Sequence, residues 1–213
     1  IISNGSGELT GDIGFYDGDD LLGKGTIDHG KVSFTLDTLT AGTHNITAKY
    51  EGNEIANEAT SDIVTQIVDK ANPTYQVPSY NGYYGQTLSD FELPEKFNWQ
   101  EDGTTAVGSI GENIHLVTYT PSDTNNYEVV EDIKVTIEVK ELETEVKLAI
   151  NPNLSTYGES VTLTANVAIT SNGAGELTGV VEFYNGTTLL GTSSVTNGTA
   201  SFATDKLTAG AHS

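Results

Sequence analysis

The 213-residue chain contains no cysteine, no methionine and no arginine, and nine lysines face 30 acidic residues, for a formal net charge of −21. Without cysteine there is no disulfide, no thiolate nucleophile and no cysteine-ligated zinc or iron. The acidic balance makes nucleic acid and anionic membrane surfaces poor partners. Apolar runs stop well short of the roughly 20 residues that a membrane-crossing helix needs, and no signal-peptide pattern opens the chain, so no membrane insertion is expected of this segment. No stretch carries a sustained 3.6-residue apolar stripe, so helix is expected to be nearly absent. The lack of methionine even at position 1 is expected of a slice from a longer polypeptide. At this length the chain can form one all-β domain or two to three small ones, but not a large single-core enzyme.

What is present is a repeat. SNGSGELTGDIGFYDGDDLLGKG from Ser3 returns without gaps as SNGAGELTGVVEFYNGTTLLGTS from Ser171, 168 residues later. The same offset pairs Phe34 with Phe202, Leu39 with Leu207, Gly42 with Gly210 and His44 with His212. The local period is two: Val32, Phe34 and Leu36 alternate with polar residues, as do Ile46, Ala48 and Tyr50, the run Val161 to Ile169, and Ile133, Val135, Ile137 and Val139. This predicts half-buried strands. Asp17-Gly18, Asn185-Gly186 and Asn197-Gly198 fall where two-residue hairpin loops take positive φ.

Between the copies lies a segment of different character, Ala71 to Lys140, rich in aromatics that include Tyr75, Tyr80, Tyr83, Tyr84, Phe91, Phe97, Trp99, Tyr119 and Tyr127. Its borders are short and polar and lack glycine-serine runs, which predicts joints with limited bending.

The repeated copy resembles the bacterial Ig-like repeat domains of group 3. The residues that carry the likeness are Phe15-Tyr16, Leu21-Leu22-Gly23, Phe34, Leu39-Thr40-Ala41-Gly42, His44, Ala48 and Tyr50-Glu51-Gly52, and again Phe183-Tyr184, Leu189-Leu190-Gly191, Phe202, Leu207-Thr208-Ala209-Gly210 and His212. The central segment is similar to a short β repeat found between such domains in Gram-positive surface proteins, through Tyr84-Gly85-Gln86-Thr87-Leu88, Leu93-Pro94, Trp99, Val107-Gly108, Gly111 and YTPSDTNNY from Tyr119 to Tyr127. The fold implied is all-β: tandem Ig-like β-sandwich modules around a small central β module. The modules are an Ig-like repeat over 1–69 lacking its first strands, the central module over 70–140, and an Ig-like repeat over 141–213 lacking its last strands. The repeat arithmetic gives a whole module of roughly 95 residues, close to an Ig-type sandwich, and terminal copies with open edges that invite head-to-tail association. The resemblance implies a non-catalytic stalk or spacer, adhesin-like, extracellular on a bacterial cell wall or secreted. The alternatives are a carbohydrate- or protein-binding module, or an accessory region of a secreted polysaccharide-degrading enzyme. Its expected partners are neighbouring domains of the same polypeptide, then a cell-wall or host glycan or protein.

The residues of chemically versatile type read as scaffold. Asp17, Asp19 and Asp20 offer hard oxygen ligands at calcium-like spacing, but the second copy has Asn185, Thr187 and Thr188 there, so what recurs is a turn. Glu141, Glu143 and Glu145 have the spacing of a solvated strand face. His44 and His212 recur with the repeat, His29 and His115 have no partner at metal-binding spacing, and no nucleophile elbow is present. No catalytic, cofactor-binding or metal residue is therefore assigned and no cofactor is expected. Tyr83, Tyr84 and Trp99, with Tyr80, form the one candidate ligand platform, on which sugar rings would stack. For Trp99 a core role is the stronger expectation, because a module of this size spends its aromatics on burial.

Overall fold

A computed structural model describes residues 9–213. They are almost entirely strand and loop, with one short 3-10 turn at Leu88–Asp90, and no helix among them is long and apolar enough to cross a membrane. The chain divides into two compact units. One holds the described residues up to Tyr75 with Tyr119–Val130, and the other holds Gln76–Thr118 with Glu131–Ser213. The 69/70 border expected from sequence falls inside the first unit and the 140/141 border inside the second.

The first unit is built on one antiparallel sheet. Strand β1 (Asp12–Asp17) lies between β2 (Asp20–Thr26) and β3 (Gly42–Tyr50), and β3 is flanked on its other side by β4 (Ala59–Thr60) and β5 (Val64–Val68). Period two sets the inner face, where Ile13, His44 and Tyr50 are buried. The Tyr50 hydroxyl donates to the Thr10 carbonyl at 3.2 Å.

Two features differ from the sequence expectation. The hairpin loop between β1 and β2 is Gly18-Asp19, one residue later than Asp17-Gly18, with Gly18 at φ 56°. Asp17 remains a strand residue opposite Asp20, and the loop of the last repeat is shifted likewise, with Asn185 opposite Thr188 and Gly186 at φ 58°. Second, Val32 to Leu36 is not a strand, although its counterpart forms β14 (Thr199–Thr204). The cause is the missing neighbour. β14 is laddered to β11 (Val161–Ile169), whereas no such strand stands beside Phe34 among the described residues, and alternation without a partner leaves the backbone unladdered.

The second unit contains two cores. The central module is a four-stranded sheet in the order β6 (Ser79–Tyr83), β9 (Val130–Lys140), β8 (Gly111–Tyr119), β7 (Phe97–Trp99), with β6 and β9 parallel. Ile133, Val135, Ile137 and Val139 are all buried, as their alternation predicts. At about 1.5–3 kcal/mol per buried aliphatic side chain, this strand is the main apolar contributor to the module. Ile137 and Val139 pack with Leu88, Phe91 and Val107. The last repeat is a sandwich: the sheet of β10 (Thr144–Asn151), β11 and β14 faces the hairpin of β12 (Val180–Asn185) and β13 (Thr188–Ser194) across Leu163, Ala165, Phe183 and Ala200. Asn197-Gly198 is a two-residue loop with both residues at positive φ, as expected, and His29-Gly30 is its counterpart.

Candidate functional site

The aromatic set of the central module divides into two groups. Trp99 is half-buried and packs on the Leu88 core with Tyr80. Its indole nitrogen donates to the Phe91 carbonyl at 3.4 Å, and its ring meets His115 edge-on at 6.2 Å. Tyr80 meets Phe91 edge-on at 5.5 Å and donates its hydroxyl to the Glu92 carbonyl. Burial, then the nearby Glu92 charge, pushes the Tyr80 hydroxyl above its usual range. His115 is buried and is held through Nδ1 by Glu101 at 2.7 Å and through Nε2 by the Val107 carbonyl at 3.2 Å.

Tyr83 and Tyr84 are directed elsewhere, to the joint with the last repeat. The turn Tyr83–Gln86 is closed by the Tyr83 N–H donating to Gln86 Oε1 at 2.7 Å and the Gln86 N–H donating to the Tyr83 carbonyl. It brings the Tyr84 carbonyl to the Ala174 N–H at 3.0 Å, while the Tyr83 hydroxyl donates to Glu143 at 2.9 Å. That hydrogen bond holds the Tyr83 hydroxyl above its usual pKa. Glycine is required on both sides: a Cβ on Gly85 would run into the Ala174 carbonyl, and one on Gly173 into Leu142 and the Tyr84 carbonyl. Glu143 is also fixed through its backbone, its N–H donating to Ser171 Oγ and its carbonyl accepting from the Thr170 N–H. Glu145 pairs with Lys147 at 2.6 Å, so Glu141, Glu143 and Glu145 do not act as one acidic cluster.

A second joint lies within the first unit, where the loop Asp123–Tyr127 meets the first repeat. Asp123 accepts from the backbone N–H groups of Asn125 and Asn126 and from the Asn126 side chain, which holds its carboxyl below the usual range. This knot presents Asn126 Oδ1 to the Ala41 N–H at 2.7 Å, and its carbonyl accepts from Ala71. Lys70 Nζ donates to the Thr124 carbonyl.

The recurring histidines are scaffold residues with different partners. His44 Nδ1 meets Asp17 at 2.6 Å and Nε2 meets the Thr40 carbonyl at 2.8 Å; His212 meets Asn185 at 2.9 Å and the Thr208 carbonyl at 2.7 Å. His29 pairs with Asp28 on the exposed surface. Among the described residues no group of three or more His, Asp or Glu side chains is gathered as a metal site would need.

The partners Asp17 and Asn185, the glycine socket at Gly173, and Asn126 escaped the sequence reading. Asp17 and Asn185 had a signal, since each stands 27 residues before its histidine in both copies. Asn126 and Gly173 had none, because their importance depends on neighbours distant in sequence.

Sandwich modules coupled by packed joints define a multi-module β protein of the Ig-like class. The family model for the bacterial Ig-like domain (group 3) matches residues 2–69 and 148–213, more than half of the sequence, and the chain belongs to that family. Membership makes it a structural or cell-surface module of a typically non-catalytic kind. No curated protein and no solved structure matches the chain.

Proposed function

We propose that this segment is a non-catalytic spacer in a bacterial cell-surface or secreted multi-domain protein, holding a distal domain away from the cell wall and carrying load to it. The observation behind this reading is the joint at Tyr84 and Ala174, where one module grips the next by a backbone hydrogen bond across facing glycines. A freely hinged string would not need such a contact; a segment that transmits force and sets distance does. The charge of −21 suits an extracellular array, since like-charged modules resist clumping at high local density.

The test is to display a binding domain on a bacterial surface with and without these residues as its support. Removing them should lower the height of the binding domain and weaken capture of its ligand under flow, without changing affinity in solution. Unchanged height, or retention on cell-wall or host glycans by the 213 residues alone, would overturn the spacer in favour of a binding module.

A further inference from the structure

The joint between the central module and the last repeat is built on an asparagine-glycine bond that it leaves chemically open. An asparagine followed by glycine can close on itself: the backbone nitrogen of the glycine attacks Cγ of the asparagine, and glycine has no Cβ to obstruct the approach. Two conditions decide whether closure takes place in a folded chain. The glycine N–H must not be held in a hydrogen bond that has to open first, and the asparagine side chain must be able to swing over that nitrogen.

The described residues hold four such bonds, Asn81-Gly82, Asn172-Gly173, Asn185-Gly186 and Asn197-Gly198, and the fold restrains three of them. Gly82 is buried in β6 opposite Val139. The Tyr84 N–H on the Lys140 carbonyl sets the phase of that ladder, in which bonded residues alternate, so the Gly82 N–H is also bonded to β9. Gly186 donates its N–H to the Ser213 carbonyl, as Gly18 does to the Asn45 carbonyl, and the Asn185 side chain is tied to His212. Asn197-Gly198 is clamped between Thr196 and Thr199, which exchange backbone hydrogen bonds at 2.9 and 3.0 Å, and the Gly198 carbonyl accepts from the Val167 N–H.

Asn172 differs on both counts. It is exposed, and among the described residues neither its side chain nor the Gly173 N–H has a hydrogen-bond partner. The chain is anchored on either side, by Ser171 Oγ, which accepts from the Glu143 N–H at 3.1 Å, and by the Ala174 N–H, which donates to the Tyr84 carbonyl at 3.0 Å. The joint itself demands the reactive glycine, because a Cβ on Gly173 would run into Leu142 and the Tyr84 carbonyl.

We propose that Asn172 is a site of spontaneous deamidation and that its conversion opens the joint. The Gly173 nitrogen bonds to Cγ of Asn172, and the side-chain nitrogen leaves as ammonia, carrying the proton that the Gly173 amide gives up. Water then opens the five-membered imide at one of its two carbonyls. Opening at Cγ gives aspartate. Opening at the backbone carbonyl gives isoaspartate, whose main chain runs through Cβ and Cγ and is one carbon longer. Either product adds a negative charge next to the Glu143 anchor, and the longer backbone displaces Gly173 in a socket with no room for one added carbon. The grip between the two modules is then a contact with a finite lifetime.

The test ages the full 213-residue chain in mildly alkaline buffer and maps its peptides by mass, with an isoaspartate-specific methyltransferase to count the longer product. Acid should accumulate at Asn172 ahead of Asn81, Asn185 and Asn197. In the converted chain the Ala174 amide should exchange about tenfold faster or more, while the Ile137 amide keeps its rate. Asn172→Gln, whose longer side chain closes far more slowly, should keep the Ala174 protection through the same treatment. Acid appearing first at any of the other three asparagines would overturn the site. Unaltered Ala174 exchange in the converted chain, or loss of that protection in the aged Asn172→Gln chain, would overturn its effect on the joint.

Discussion

His44 and Asp17 form a 2.6 Å pair in which both ring nitrogens of the histidine face acceptors, the carboxylate at Nδ1 and the Thr40 carbonyl at Nε2. Both contacts are hydrogen bonds at once only when both nitrogens carry hydrogen, so the geometry favours the imidazolium form. The hydrogen bond to Asp17, followed by that to Thr40, raises the His44 pKa, and the hydrogen bond from His44 lowers that of Asp17. In the last repeat Asn185 replaces the carboxylate, keeping the contact without the ion pair.

The first repeat should therefore be most stable in mildly acidic solution. The His44 contribution is complete below its unfolded value of 6.5 and is lost as pH rises through the raised folded value; the Asp17 contribution is present above 3.8 and is lost as pH falls through the lowered one. Thermal melts should show the first repeat weakening as pH rises above 6.5. Asp17→Asn, which copies the last repeat, should flatten that slope, and an unchanged slope would show that another group governs it.

Gly85→Val should open the joint. Gly85 has φ 84° and faces the Ala174 carbonyl, so the substitution adds both backbone strain and a clash, costing about 1–3 kcal/mol. The Ala174 amide, bonded to the Tyr84 carbonyl, should exchange faster while the Ile137 amide keeps its protection. Equal protection of Ala174 before and after substitution would mean that the turn does not hold the joint.

Leu88 is fully buried in the central core. Leu88→Ala should destabilise that module by about 2–5 kcal/mol through lost burial and a residual cavity. The single tryptophan, Trp99, packs against this cluster, so its fluorescence in urea reports the module, and a midpoint within error of the parent would contradict the packing.

The two repeats each press a phenylalanine over a glycine: Phe34 over Gly23 and Phe202 over Gly191. Each is also stacked on a second ring, Phe15 at 5.7 Å and Phe183 at 5.8 Å. Phe202 sits on the laddered strand β14, whereas Phe34 lies in an unladdered segment that can yield. Gly191→Ala should cost about 1–3 kcal/mol, the usual range for overpacking, and Gly23→Ala distinctly less. Paired denaturation curves with equal losses would refute the difference in compliance.

The contrast at Phe34 shows what a sequence can and cannot display. Alternation and an ungapped repeat are properties of the chain itself, so the all-β class, the buried run from Ile133 to Val139 and the Asn197-Gly198 loop were legible. A ladder depends on a neighbour, and Val32 to Leu36 alternates as well as its counterpart yet has none beside it among the described residues. The Asp17-Gly18 loop missed by one residue because the motif marks where positive φ is affordable, not which of two adjacent positions closes the hairpin. Of the aromatic platform, the core role of Trp99 followed from module size. The use of Tyr83 and Tyr84 at a joint depends on Glu143 and Ala174, residues 60 and more positions away.

The parallel pairing of β6 with β9 has a mechanical meaning. β6 is the first strand of the central sheet and β9 the last, and they run the same way across five opposed residues, from Ser79 beside Thr136 to Tyr83 beside Lys140. Tension that enters before Ser79 and leaves after Lys140 pulls the two strands past each other along their length. The rungs between them are then strained simultaneously and resist as a set, whereas an antiparallel terminal hairpin would be peeled open one rung at a time.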